Sequence, residues 1–323
     1  MRTILLGRMA AGCEEALRER LGGLAELTAI PDPAKIDDYA AELAVADVIV
    51  GWPLTNALVA RAPEVKLVQA SGAGIDGLDL ETLPDGVMAA NTFHHEAAIA
   101  EWVLMAMLNL ARNPAGFDRR LREGQWAGSC IWGEHPVLRE LRGETALLIG
   151  VGHIAKEIAR RAKAFGMRVV GISRRGMEEA GFDLVAGWEG WLDRVAEADY
   201  VIPCCPLAEE TRGLIGAECL GRMKRDAYVI NMTRGPVVDE EALYEALRTK
   251  QIGGAAIDTW YQYPRSEEAA VLPSRLPFHE LGNVLMSPHV SGWTRPTIEG
   301  RIADIAENIR RLRDGEEILH RLR

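Results

Sequence analysis

The residues Gly150-Val151-Gly152-His153-Ile154-Ala155 stand between an apolar run, Thr145 to Ile149, and a helical pattern through Lys156 to Phe165. A glycine in the first place permits a tight strand-to-helix turn. A glycine in the second lets the backbone approach a pyrophosphate, and a small third residue lets helix pack on strand while the helix N-terminus attracts phosphate. A purely structural turn would carry the same glycines, but a strand before and a helix after are the setting in which this spacing binds dinucleotides. Gly150, Gly152, His153 and Ile154 are therefore candidate cofactor contacts. About twenty residues on, where a carboxylate would bind the ribose 2′-hydroxyl, the chain reads Ile172-Ser173-Arg174-Arg175. Two guanidiniums beside a hydroxyl suit a 2′-phosphate through charge-assisted hydrogen bonds, so NADP(H) is expected in preference to NAD(H).

A second group of polar residues follows apolar runs of strand length: Cys205-Pro206, Thr233-Arg234, Asp258 and His289. In a doubly wound sheet such strand ends share the edge where ligands sit. Reducing a 2-keto acid by hydride needs a cation to hold the carboxylate and polarise the carbonyl, and an acid to protonate the new alkoxide. Arg234 and His289 are of the types that do this. His94-His95-Glu96, after a strand ending at Asn91, is either an ordinary solvated or capping loop or a site element. Trp52, Trp132, Trp260 and Trp293 suit a pocket wall or a core, and tryptophans are more often core.

Positioning these residues requires parallel strands, and apolar runs of strand length alternate with helical patterns along nearly the whole chain. The fold class expected is α/β: two doubly wound Rossmann-like domains with parallel sheets and an active-site cleft between them. Strand candidates are Ile4 to Gly7, Asp47 to Val50, Val65 to Ala70 and Val87 to Ala90, then a six-stranded series from Thr145 to Gly150, Arg168 to Ile172, Tyr200 to Pro203, Tyr228 to Met232, Ala255 to Asp258 and Val284 to Met286. The apolar stretch Ala97 to Ala111 reads as a buried helix, and Pro114 to Gly143 as a weakly periodic linker or dimer arm. A last helix is signalled by Thr294 as cap, Pro296 in its first turn and a stripe of Ile298, Ile302, Ile305, Ile309 and Leu312. Its simplest packing returns it to the first domain, giving residues 1–95 plus 293–323 as a substrate-binding, flavodoxin-like domain and 96–292 as the NAD(P)-binding Rossmann domain.

The chain has 323 residues, 48% of them hydrophobic, enough for two cores. Thirty-seven basic against forty-seven acidic residues give a net charge of -10, which argues against nucleic acid as partner. Ala97 to Ala111 is too short to span a bilayer, so no membrane association is expected. Arg2 leads straight into the first strand with no signal-peptide pattern, so a cytoplasmic location is expected. Cys13, Cys130, Cys204, Cys205 and Cys219 contain no CxxC pair, so reduced thiols are expected, with neither a disulfide framework nor a metal site.

Asn231-Met232-Thr233-Arg234-Gly235-Pro236-Val237-Val238-Asp239 resembles the N-x-x-R-G-x-x-V-D signature of the D-isomer-specific 2-hydroxyacid dehydrogenases. Gly72-Ala73-Gly74-Ile75-Asp76, Pro206-Leu207 with Glu210-Thr211-Arg212-Gly213-Leu214, Gly254-Ala255-Ala256-Ile257-Asp258 and Met286-Ser287-Pro288-His289-Val290-Ser291-Gly292 are similar to further family segments, so the likeness spans residues 65 to 295. The resemblance implies that the amides of Ala73 and Gly74 bind the substrate carboxylate, that Arg234 binds carboxylate and keto oxygen, and that His289 donates the proton. It implies Cys205, Pro206, Thr211, Thr233, Asp258, Ser291 and Gly292 as cofactor contacts beside Ser173, Arg174 and Arg175. A homodimer follows from it too, with Trp132 reaching the partner. Trp52 and Trp293 flank matched loops and become the substrate-pocket candidates.

The chain departs from the family pattern at one place. Where relatives carry a Glu that pairs with the catalytic His, Asp258-Thr259-Trp260-Tyr261-Gln262-Tyr263-Pro264 puts Tyr263. Either Tyr263 or Gln262, the latter similar to the Gln that formate dehydrogenases use, would then orient the ring. Without a carboxylate partner, His289 is expected to titrate lower than in relatives, and reduction to favour mildly acidic pH. The reading is NADPH-dependent reduction of a small 2-keto acid, glyoxylate- or hydroxypyruvate-like, or bulkier given the aromatics. The alternatives are oxidation of a small anion, as in formate or phosphite dehydrogenases, and a nucleotide-sensing role like that of the family's corepressors.

Overall fold

The computed structural model describes residues 1–126, 128, 137–264 and 270–323. Cys130 and Trp132 lie outside the described residues. The chain divides into two compact units, residues 1–94 with 293–323 and residues 95–292.

The first unit is a five-stranded sheet of β1 (Arg2–Leu6), β2 (Glu26–Ile30), β3 (Val48–Gly51), β4 (Leu67–Ala70) and β5 (Met88–Ala90), in the order β2-β1-β3-β4-β5 with every pairing parallel. This is the flavodoxin-like order, whose switch point lies between the ends of β1 and β3. One face carries Ile4, Leu6, Ile49 and Val68. The other carries Leu5, Val48, Val50 and Leu67 and is covered by Leu17 and Leu21 together with Ile302, Ile305 and Ile309 of the C-terminal helix Arg295–Asp314. Thr294 holds the cap position of that helix, but its hydroxyl bonds the Thr297 hydroxyl at 3.0 Å rather than a backbone amide. Fully buried Asn308 donates to Gln69 Oε1 (2.7 Å) and the Leu319 carbonyl (3.1 Å) and accepts from the Leu319 amide (2.7 Å). These bonds seat the tail, whose Arg321 pairs antiparallel with Ala90 and so covers the open edge of β5.

The second unit is a seven-stranded parallel sheet, one strand more than the sequence suggests. It comprises β6 (Thr145–Ile149), β7 (Arg168–Ile172), β8 (Leu184–Ala186), β9 (Tyr200–Pro203), β10 (Tyr228–Asn231), β11 (Gly254–Ile257) and β12 (Val284–Met286), in the order β12-β11-β10-β9-β6-β7-β8. The strands missed by pattern, β2 and β8, are both edge strands. β2 is interrupted by Thr28, and β8 has three residues, too few for any period to show. Because central strands of a covered parallel sheet are buried on both faces, they contribute to two cores. Leu147, Ile149, Val170 and Val229 pack beneath Leu220 and Leu243. Ala146, Leu148, Val169 and Ile230 pack beneath Val103 and Met107 of the helix Glu96–Arg112 and Ile158 and Ala162 of the helix His153–Ala164. The start of the stretch read as a linker is helical, Pro114–Arg122, with the Asn113 side chain accepting from the Gly116 amide at 3.2 Å. Among the described residues no helix is long and apolar enough to cross a membrane.

Candidate active site

All seven strands of the second unit run parallel, so their carboxyl ends share one edge. The strand order reverses between β6 and β9, where Gly150 meets Cys204. Gly150 has φ +114, and a Cβ there would stand 2.6 Å from the Cys204 carbonyl oxygen, so glycine is required on both counts. At Gly152, by contrast, the space for a side chain is open, leaving room for a group to approach the N-terminus of the helix His153–Ala164. Ala155, inside that helix, is fully buried against the sheet. At the end of β7, Ser173 Oγ accepts from the Gly176 amide at 3.0 Å and shapes the turn. Arg174 and Arg175 are exposed on it, and neither makes a salt bridge among the described residues. Thr211 Oγ donates to the Pro206 carbonyl (2.7 Å) and accepts from the Ala208 amide (2.8 Å), so it shapes the loop that presents Cys205 and Pro206. Burial pushes the Cys205 thiol up to about 11 and Cys204 well above its usual value, so both stay protonated.

At the end of β10 the buried Asn231 acts as a template. Its Nδ2 donates to the Arg234 carbonyl (3.0 Å), and its Oδ1 accepts from the Thr233 amide (3.2 Å) and hydroxyl (3.0 Å). Gly235 follows because the Trp260 carbonyl occupies the place of a Cβ. Arg234 Nη1 donates to the Thr233 carbonyl at 2.9 Å.

The His289 loop is built around Asp258. This carboxylate has no solvent exposure and accepts from the Ser287 hydroxyl, the Val290 amide (2.9 Å) and the Ser291 amide (2.9 Å). Asp258, expected among the cofactor contacts, is thus committed to the loop that carries the histidine. Within it His289 has φ +59, a conformation that side-chain-bearing residues rarely adopt and that persists only where surroundings impose it. Trp260 helps impose it: its ring is buried, and Nε1 donates to the Ser287 carbonyl at 2.8 Å, so this tryptophan is core.

Tyr263 Oη lies 3.0 Å from His289 Nδ1 and accepts from the Trp260 amide at 3.1 Å. Gln262 is exposed, and among the described residues only its backbone amide is engaged, with the Pro273 carbonyl. Of the two residues open at the sequence level, Tyr263 is the one bonded to the ring. Desolvation pushes the His289 pKa below its ordinary value; Asp258 opposes this, and Arg234 adds to it. Burial raises the Tyr263 pKa, so the phenol keeps its proton.

In the first unit, Trp52 stands at the switch point of the sheet, 54% exposed, and Trp293 is 52% exposed at the start of the C-terminal segment. In the loop after β4, the Thr92 amide donates to the Gly72 carbonyl (3.2 Å) and Asn91 Nδ2 to the Ala73 carbonyl (2.9 Å). The amides of Ala73 and Gly74 donate to no other group among the described residues. With its carbonyls held back and its N–H groups available, the loop is suited to an anion. The Arg301 guanidinium lies against Gly72, with carbon and nitrogens 3.7–3.8 Å from the place of a Cβ, and adds positive charge behind it. His94 is not a free loop residue: Nε2 lies 2.8 Å from Asp304, whose carboxylate also meets His320 at 3.2 Å.

A model of the D-isomer specific 2-hydroxyacid dehydrogenase NAD binding domain matches residues 104–291. The chain belongs to this family. It is therefore one of the nicotinamide-dependent oxidoreductases that act on CH–OH groups. It is 32% identical over 269 residues to a glyoxylate reductase of Korarchaeum cryptofilum, covering 82% of this chain and 78% of that one. It is 32% identical over 280 residues to a D-3-phosphoglycerate dehydrogenase of Methanocaldococcus jannaschii, covering 84% of this chain but only 50% of that longer protein. A solved structure of a D-isomer specific 2-hydroxyacid dehydrogenase family protein from Aeromonas salmonicida superposes with a TM-score of 0.82 at 26% identity, covering 100% of this chain and 98% of that one.

Set against this 2-hydroxyacid dehydrogenase frame, the structure gathers Gly150, Gly152, Ser173, Cys205, Thr233, Arg234, Asp258 and His289 at the carboxyl edge of one sheet. It holds Ala73, Gly74, Trp52 and Trp293 in the other unit. Sequence reasoning gave no positioning task to Asn91, Ser287 or the Trp260 amide. Asn91 and Ser287 bond groups 18 and 29 residues away in the chain, and the Trp260 amide is a main-chain group, so no side-chain pattern reports these contacts.

Proposed function

We propose that this 2-hydroxyacid dehydrogenase reduces a small 2-keto acid to the D-2-hydroxy acid with NADPH, or runs the reverse reaction. The observation that carries the reading is the presence of Arg234 and His289 on the strand-end edge that also bears the Gly150–Ala155 turn. The open space at Gly152 and the tight turn at Gly150, at the head of the helix His153–Ala164, fit a dinucleotide. Residues 95–292 would then bind the cofactor and residues 1–94 with 293–323 the substrate. When bound, the nicotinamide supplies the hydride. The residues of this chain do the rest: Ala73 and Gly74 receive the carboxylate, Arg234 holds carboxylate and keto oxygen and draws charge onto that oxygen, and His289 Nε2 delivers the proton that completes the hydroxyl. Trp52 and Trp293 would line the substrate side, while Ser291, Gly292, His153, Ile154, Pro206 and Thr211 would border the cofactor.

Spectrophotometric NADPH oxidation with glyoxylate, hydroxypyruvate and phenylpyruvate tests the reading. Turnover with at least one acid is expected, and tight NADPH binding without turnover on any acid would replace it with a sensing role. Oxidation of formate or phosphite would replace it with the anion-oxidising alternative, which the exposed Gln262, off the His289 ring, does not favour.

The preference for NADPH rests on Arg174 and Arg175, two exposed cations without a salt-bridge partner among the described residues, where an acid would select NADH. Replacing both by alanine is expected to raise KM for NADPH by roughly 10- to 100-fold, the scale of one or two charge-assisted hydrogen bonds, while KM for NADH changes little. Equal changes for the two cofactors would show that the arginines do not read the 2′-phosphate.

A further inference from the structure

The group facing Nδ1 of His289 is the phenol of Tyr263, and a phenol in that place differs from a carboxylate in one decisive respect. A carboxylate only accepts hydrogen bonds, so it demands a proton on the ring nitrogen facing it and stabilises the imidazolium. A phenol can donate, and a donor facing Nδ1 stabilises the ring that lacks a proton there.

Which role the Tyr263 hydroxyl takes is decided by its other contact. The Trp260 amide, three residues earlier, donates into Oη at 3.1 Å, occupying an acceptor position. The hydroxyl proton then needs an acceptor, and His289 Nδ1 stands 3.0 Å away. In the opposite arrangement two N–H groups would converge on one oxygen while its own proton found no protein partner among the described residues. His289 Nε2 makes no hydrogen bond to a protein group among the described residues, which leaves that edge of the ring for substrate.

We propose that Tyr263 is the positioning residue of the site and that, by donating to Nδ1, it holds neutral His289 as the Nε2–H tautomer, so that delivery of a proton requires the ring to be charged first from solvent. The proposal rests on the reading of His289 as the proton donor. In the reducing direction, hydride adds to the keto carbon and the carbonyl π pair moves to oxygen. That oxygen takes the Nε2 proton of the imidazolium, leaving the neutral ring with its remaining proton on Nδ1. Tautomer and hydrogen bond are then reset through Tyr263 and a solvent proton. The charged groups facing the ring are Asp258, which favours the imidazolium, and Arg234, which opposes it. Tyr263 supplies no charge to tip that balance, so reduction weakens as pH rises through a His289 pKa that lies below the ordinary histidine value.

The test has two arms. With 15N-labelled histidine, the NMR spectrum of the wild-type protein above the His289 pKa is expected to show the Nε2–H tautomer, and Tyr263→Phe a mixture of the two. An Nδ1–H ring in the wild type overturns the proposal whether or not any keto acid is turned over. The second arm is the pH profile of kcat for reduction from about pH 5 to pH 9, across the histidine range. Tyr263→Glu, which restores an anionic acceptor, is expected to move the midpoint up by about one pH unit or more. Tyr263→Phe is expected to lower kcat by roughly 10- to 100-fold, the scale on which an orienting partner of a histidine acts, with KM nearly unchanged. A midpoint that stays in place in Tyr263→Glu overturns the proposal. Absence of turnover in every form, with the tautomer as expected, instead counts against the keto-acid reading alone.

Discussion

Replacing His289 is expected to lower kcat for keto-acid reduction by roughly 10²- to 10⁴-fold, the contribution of a positioned general acid, while KM for the acid changes by only a few-fold. The prediction follows from what the imidazole does not do. Asp258 holds the loop through the Ser287 hydroxyl and the main-chain amides of Val290 and Ser291, so removing the ring leaves that network in place. The backbone at His289, with φ +59, makes alanine an imperfect probe, since a Cβ-bearing residue resists this conformation. Asparagine tolerates it better. His289→Asn and His289→Ala should therefore share the same loss of kcat while differing slightly in melting temperature. Steady-state kinetics at mildly acidic pH, with thermal melts of all three proteins, check the claim. Retention of more than about a tenth of wild-type kcat in both variants would show that the proton comes from elsewhere.

Arg234→Ala is expected to behave differently, lowering kcat/KM by roughly 10³-fold or more, with both KM and kcat affected. A guanidinium that holds the carboxylate is felt in the ground state. One that draws charge onto the keto oxygen is felt in the transition state, where loss of a single such donor costs about 10²- to 10³-fold. Arg234→Lys should recover only part of the loss, because an ammonium keeps the charge but cannot present two parallel N–H groups to a carboxylate. The backbone here is set by Asn231 and by the approach of the Trp260 carbonyl to Gly235, neither of which depends on the Arg234 side chain, so the variants should remain folded. An Arg234→Ala enzyme with a higher KM but unchanged kcat would confine the residue to carboxylate binding.

The parts legible in the sequence share a physical trait: each is carried by a short, continuous stretch. The Gly150–Ala155 turn announces itself because the strand, turn and helix that need those glycines are consecutive. The Asn231–Asp239 signature does so because Asn231 folds back on residues two and three places away. The central strands were visible as apolar runs since burial on both faces allows little polar interruption. The edge strands β2 and β8 were not, because β2 carries Glu26 and Thr28 among its apolar residues and β8 has only three residues.

The choice between Tyr263 and Gln262 could not be made from spacing. It depends on how the turn after β11 lies against the β12 loop, a contact across 26 residues of chain. For the same reason the sequence could name Asp258 but not show that its carboxylate organises the loop bearing His289, nor that Trp260 is core. Apolar periodicity and local turn chemistry determined an α/β protein with parallel sheets, and the resemblance of short segments such as Asn231–Asp239 pointed to the 2-hydroxyacid dehydrogenase family, because those signals arise between near neighbours. Only tertiary structure decided which side chain partners the histidine and which residues hold its loop in a left-handed conformation, because hydrogen bonds between the ends of different strands exist only once the sheet has brought those ends together.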